Sequence, residues 1–169
     1  MFSAKDIAIW FLLKNNAEVK EHVVTNDDEE YEVYEGITHL KLQKLLYYAQ
    51  GLSLAINNER LFFEEIEAWK HGPVVPEVYD EYCSNGRNVI EIEMGRVEEK
   101  ILNDIENDTK ANNILNLTYN NFAIYTAWQL REMTHEDNSP WDITQKNKGL
   151  TEVIDIELIK EYFKKEVIE

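Results

Sequence analysis

Six apolar residues, Leu42, Leu45, Leu46, Ala49, Leu52 and Ile56, fall at offsets 0, 3, 4, 7, 10 and 14 along one stretch of the chain. That spacing places them on one face of a helix, whereas a strand would split them between two faces. The pattern predicts a helix over about 38–56, with Thr38 as N-cap and Asn57-Asn58 at its end. It is the longest apolar stripe in the chain, so this helix is expected at the centre of the fold. Lys41 stands where an acid would close a capping box.

The rest of the chain reads as further helices with a few short strands. Ser3 and Asp6 open a first helix through Lys14, with Ile7, Trp10 and Phe11 on its apolar side. Residues 17–36 hold eight acids against Lys20 alone, so they carry 7 of the 16 net negative charges. Val23-Val24-Thr25, an acidic tip and Tyr31-Glu32-Val33-Tyr34 read as an exposed β-hairpin or, equally, as an acidic loop. Leu61–Lys70 is open between strand and loop, leading into a turn at Gly72-Pro73, and Pro76 suits the first turn of a helix. Val89–Met94 alternates like a strand. Val97, Ile101 and Ile105 mark a helix, and Ile114, Leu117 and Phe122 another that breaks near Asn120-Asn121. Thr126–Gln129 and Ser139–Asp142 read as capping boxes, Gly149 as a stop, and Asp155 as the cap of a last helix carrying Ile156, Ile159 and Phe163. The expected fold class is mainly α, one compact domain over 1–169 with a few short β-strands and an acidic insertion at about 17–36.

Bulk properties exclude several function classes. At 169 residues, 44% hydrophobic and 11% aromatic, the chain can bury a core. A net charge of −16 repels phosphate backbones, so direct nucleic-acid binding is not expected, and a basic protein partner suits it better. No apolar run reaches the roughly 20 residues of a membrane span, and the first residues lack the basic start of a signal peptide. A cytoplasmic protein without membrane contact is expected. Cys83, the sole cysteine, is expected to pack rather than react. His22, His39, His71 and His135 form no metal-ligand spacing and the six glycines no phosphate loop, so no metal, no cofactor and no enzymatic activity are expected.

Two segments invite a functional reading beside a structural one. Thr134-His135-Glu136-Asp137 has the look of a tuned histidine among acids, yet an imidazolium at a helix C-terminus also binds free carbonyls, and that structural role outweighs the catalytic one. Trp141, after a proline at a helix start, is expected to staple this corner to the body. Trp69-Lys70-His71-Gly72-Pro73 places aromatic and basic residues around an irregular backbone, as scaffold turn or contact surface.

Taken in order, Lys41–Gln50, Leu61-Phe62, Glu67-Ala68-Trp69, Gly72-Pro73-Val74-Val75, Val78-Tyr79, Thr134-His135 and Pro140-Trp141 resemble the signature of the Panacea (SocA-like, phage-associated GepA-type) domain. The acidic segment 17–36 and the step Asp137–Ser139 depart from that pattern. The resemblance implies a small, cofactor-free helical protein that acts through another protein, best known as the antitoxin of a toxin–antitoxin pair. The expected partner is a cognate toxin, and the acidic charge of the chain suits a basic one. The alternatives are an adaptor to a cytosolic protease, or an acidic inhibitor of a host nucleic-acid enzyme encoded by a phage, prophage or other mobile element. Candidate contact residues are Trp69, Lys70, His71, Gly72, Pro73, Val74, Tyr79, His135 and Trp141, with Asp27, Asp28, Glu29 and Glu30 at the acidic tip.

Overall fold

The computed structural model describes residues 1–25 and 36–168, and the side chains of all of these except 20–25. The striped segment forms helix α2 (His39–Asn57), whose N-terminus is capped by Thr38 Oγ1 accepting from the Lys41 amide at 3.3 Å. Asn58 closes it in the left-handed conformation, φ 57°. Leu42, Leu45, Leu46, Ala49 and Leu52 are buried as the stripe requires, while Ile56 emerges near the end. Around α2 pack α1 (Ala4–Thr25), α3 (Pro76–Tyr82), α5 (Thr109–Phe122), α6 (Ala127–Thr134) and α8 (Ile156–Tyr162). Helix α4 (Arg96–Glu106) leans on α1 and α5, and α7 (Pro140–Lys148) joins α6 to the last helix. One apolar cluster runs from Ala4 to Phe163 through all of these contacts.

The burial of α2 exceeds its stripe, since every residue from Lys41 to Leu54 is buried. Polar side chains so placed need partners, and they find them in irregular backbone. Gln50 accepts from the amides of Leu61 and Phe62 at 2.8 and 3.2 Å and donates to the Phe62 carbonyl at 2.9 Å. Gln43 accepts from the Val75 amide at 2.7 Å and donates to its carbonyl at 3.3 Å. Lys41 Nζ donates to the Ala123 carbonyl at the end of α5, 2.7 Å away. Thus the polar half of the stripe clamps segments that no ladder supports. On the opposite side Gly51 lets the Phe163 ring close in, for a Cβ there would come within 2.4 Å of it.

Three strands form a small antiparallel sheet in the order β2-β1-β3. Strand β1 (Glu67–Trp69) pairs with β2 (Gly72–Val74), Ala68 opposite Pro73, and with β3 (Glu152–Val153), Ala68 opposite Glu152. Proline is tolerated because β2 is an edge strand.

The structure corrects several expectations. Helix α1 does not stop at Lys14 but continues to Thr25, so Val23-Val24-Thr25 is helical rather than one arm of a hairpin. Ala17, Glu18 and Lys20 are good helix formers, and α5 anchors the extension: Asn15 Nδ2 donates to Tyr119 Oη (3.2 Å), which donates to Glu18 Oε2 (2.8 Å). The rest of the expected hairpin, including Asp27–Glu30 and Tyr31–Tyr34, lies outside the described residues. The turn of the β1–β2 hairpin is Lys70-His71, not Gly72-Pro73; Gly72 (φ +108°) opens the returning strand instead. Among the described residues Val89–Met94 joins no sheet, and Ile90 N–H donates to the Ile37 carbonyl at 2.9 Å. Helix α5 runs unbroken through Asn120-Asn121. Ser139 caps α7 by accepting from the Asp142 amide (3.2 Å), but the box stays half closed, because Asp142 Oδ2 takes the amide of Asn138 (2.9 Å).

Candidate partner-binding site

The hairpin turn and the α6–α7 corner come together over the middle of α2. Trp69 ends β1 half-buried, its indole N–H donating to Glu67 Oε2 at 2.8 Å. Its ring packs on Tyr79 of α3 at 4.8 Å between centroids, and Tyr79 in turn on His39 at 5.6 Å. Beyond it Lys70 and His71 are exposed, whereas Gly72, Pro73 and Val74 return buried against α2. The turn is therefore scaffold along its strands and surface only at its tip.

Helix α6 starts from the reciprocal Thr126–Gln129 box (2.9 and 3.1 Å) and ends at His135. There His135 Nδ1 meets the Arg131 carbonyl at 2.7 Å, and Nε2 lies 3.3 Å from the Lys70 carbonyl. Burial lowers the pKa of His135 more than these carbonyls raise it. The ring caps the helix through its Nδ1 contact with the Arg131 carbonyl. Trp141 lies against the His135 ring at 3.8 Å and donates its indole N–H to the Trp69 carbonyl at 2.7 Å. It staples hairpin to corner, as its position after Pro140 leads one to expect.

Beneath the hairpin is a charge that the apolar stripe does not announce. Lys44 is fully buried, with Nζ donating to the Pro73 carbonyl at 2.9 Å. Desolvation, then the nearby Arg131 guanidinium, lower its pKa from 10.5 to about 7. Gly72 lies directly over it: a Cβ there would be 2.9 Å from both Lys44 Nζ and Thr134 Oγ1. Arg131 reaches back from α6 to donate from Nε to His71 Nδ1 (3.3 Å) and from Nη1 to Glu132 (2.9 Å), and its guanidinium sits 4.6 Å from the centroid of the exposed Trp128 ring. Partial desolvation and the cations Arg131, Lys70 and Lys44, with His135 behind them, hold the His71 imidazole below its ordinary range.

The structure thus gathers Trp69–Val74, Tyr79, His135 and Trp141 into one region, while Asp27–Glu30 lie outside the described residues. Sequence reasoning missed Lys44, Trp128 and Arg131. The available signal was the i, i+3 spacing of Trp128 and Arg131 on a helix whose apolar positions lie elsewhere.

The family described as Antitoxin SocA-like, Panacea domain, matches residues 42–142. A curated relative, Antitoxin SocA from Caulobacter vibrioides (strain NA1000 / CB15N), is 31% identical over 120 residues, 67% of this chain and 62% of the relative. The chain thus spans under two thirds of the length of that relative. No solved structure matches it. Leu42–Gln50 on α2, the β1–β2 hairpin and the start of α7 all fall inside the matched region, and the chain belongs to the SocA-like Panacea domain family.

Proposed function

We propose that this chain is an antitoxin that silences a cognate toxin by direct protein–protein contact in the cytoplasm. The observation that carries the reading is the family match over 42–142, with a relative whose name is Antitoxin SocA. The net charge of −16 supports a toxin of basic character, since opposite fields speed encounter. The contact surface is the exposed hairpin tip, Lys70 and His71, backed by Trp69, Tyr79, His135 and Trp141, with Asp27–Glu30 steering approach.

The test is capture of bound protein from the native host, followed by expression of the captured protein with and without this chain. A stoichiometric partner that arrests growth alone, and not in the company of this chain, supports the reading. A partner harmless by itself overturns it, and one that is degraded rather than held in a complex marks a protease adaptor instead. With the partner in hand, reversing the charges of Asp27, Asp28, Glu29 and Glu30 should slow association about tenfold at low salt and flatten its salt dependence. An unchanged on-rate removes this segment from the mechanism.

A further inference from the structure

The surface at the hairpin tip is opposite in character to the molecule as a whole. In a chain with 33 acids and 17 bases, Lys44, Lys70, His71 and Arg131 gather at one place, with His135 behind them. Glu132 is the acid paired there, and it occupies only one nitrogen of Arg131. Because His71 Nδ1 accepts from Arg131 Nε, the His71 proton sits on Nε2 and points away from that bond. Lys70 Nζ, His71 Nε2–H and Arg131 Nη2 then have no acceptor among the described residues. Beside them Trp128, 60% exposed, presents its ring with the guanidinium stacked upon it. Three donors and an aromatic wall, with the Glu132 carboxylate drawn to one nitrogen of Arg131, make a receptor for a carboxylate next to an apolar group.

We propose that this spot, formed by Lys70 and His71 of the hairpin and Trp128 and Arg131 of α6, receives an acidic side chain of the protein partner. The assignment rests on the reading of this chain as a toxin-binding protein and sharpens it. Most of the acidic surface attracts a basic partner in any orientation, and one inverted contact fixes the register. Like charge at this contact would reject a partner lacking the acid. Buried Lys44 adds to the positive field from below while it is protonated, that is, below its pKa of about 7.

The test needs no toxin. The ¹⁵N-labelled full chain in 150 mM salt is titrated with acetyl-Ala-Glu-Glu-Ala-amide, with acetyl-Ala-Gln-Gln-Ala-amide as the neutral control. Expected are saturable shifts of the Trp128 indole N–H, the Arg131 Nε–H and the Lys70 and His71 amides with the Glu peptide only. Arg131→Gln should weaken binding at least tenfold, and the unchanged amide spectrum elsewhere reports that the variant is folded. Absent shifts, shifts scattered over the surface, or equal binding by Arg131→Gln overturn the proposal. Inorganic phosphate moving the same signals as strongly would assign a general anion site and overturn the carboxylate. If the peptide binds while no growth-arresting partner is found, the antitoxin reading fails and this site stands.

Discussion

Gly72 carries more constraint than any of the aromatic residues around it. Its φ of +108° is a conformation that L side chains rarely adopt, and it faces Lys44 Nζ and Thr134 Oγ1 where a Cβ would stand. Lys70 and His71 keep negative φ, so the positive φ at Gly72 supplies the twist that lets β2 return along β1. Gly72→Ala is expected to lower stability by about 2 kcal/mol, the typical cost of a strained backbone position, measured as a shift in urea midpoint at constant slope. An unchanged midpoint would mean the hairpin can relax around the methyl group. Gln43 and Gln50 act as clamps on chain that forms no ladder, and Lys44 holds the edge strand β2. Their role was hidden because a polar residue beside an apolar stripe reads as solvent-facing until another segment covers it.

The hairpin is short, three residues in each of β1 and β2, and a two-stranded unit of that size is marginal alone. What holds it is docking: β3 on one edge, Lys44 below, and Trp141 from α7 bonding to the Trp69 carbonyl. Trp141→Phe keeps the ring against His135 but deletes the indole N–H, a loss of about 1 kcal/mol for a partly buried hydrogen bond. Amide exchange of residues 70–74 should accelerate five- to tenfold in that variant, with exchange in α2 unchanged; equal acceleration in both would show that the hairpin opens only with the whole fold. Helix starts were legible because their signal is local: Thr126 with Gln129, Ser139 before Pro140 and Asp155 each cap the helix expected of them. Val89–Met94 joins no strand among the described residues, because alternation marks a segment with one buried face, and a strand further requires a neighbour that the sequence does not name.

Across the molecule, buried titratable groups set a pH profile whose sign can be worked out. Lys44 has a folded pKa of about 7 against 10.5 ordinarily, so between those values the unfolded chain binds a proton that the folded one has shed. Stability therefore rises with pH through that window. The lowered pKa values of His39, His71 and His135 act in the same direction below 6.5. Burial raises Tyr47, Tyr48 and Tyr162, the last to about 12, so above pH 10 the unfolded tyrosines ionise first and stability falls again. Urea denaturation should show a gain of about 2–3 kcal/mol from pH 7 to 9.5, each pKa unit being worth about 1.4 kcal/mol. In Lys44→Met that gain should nearly vanish, and its persistence would show that Lys44 is not its source. The sequence by itself determined the helices, their caps and the family, because periodicity, capping chemistry and motif order are properties of short stretches of chain. Only the tertiary structure decided that Lys44 is buried, that α1 extends to Thr25, and that a basic, aromatic spot stands on an acidic molecule. Those depend on which distant segments share space, through burial, desolvation and mutual charge, and neighbours along the chain do not encode them.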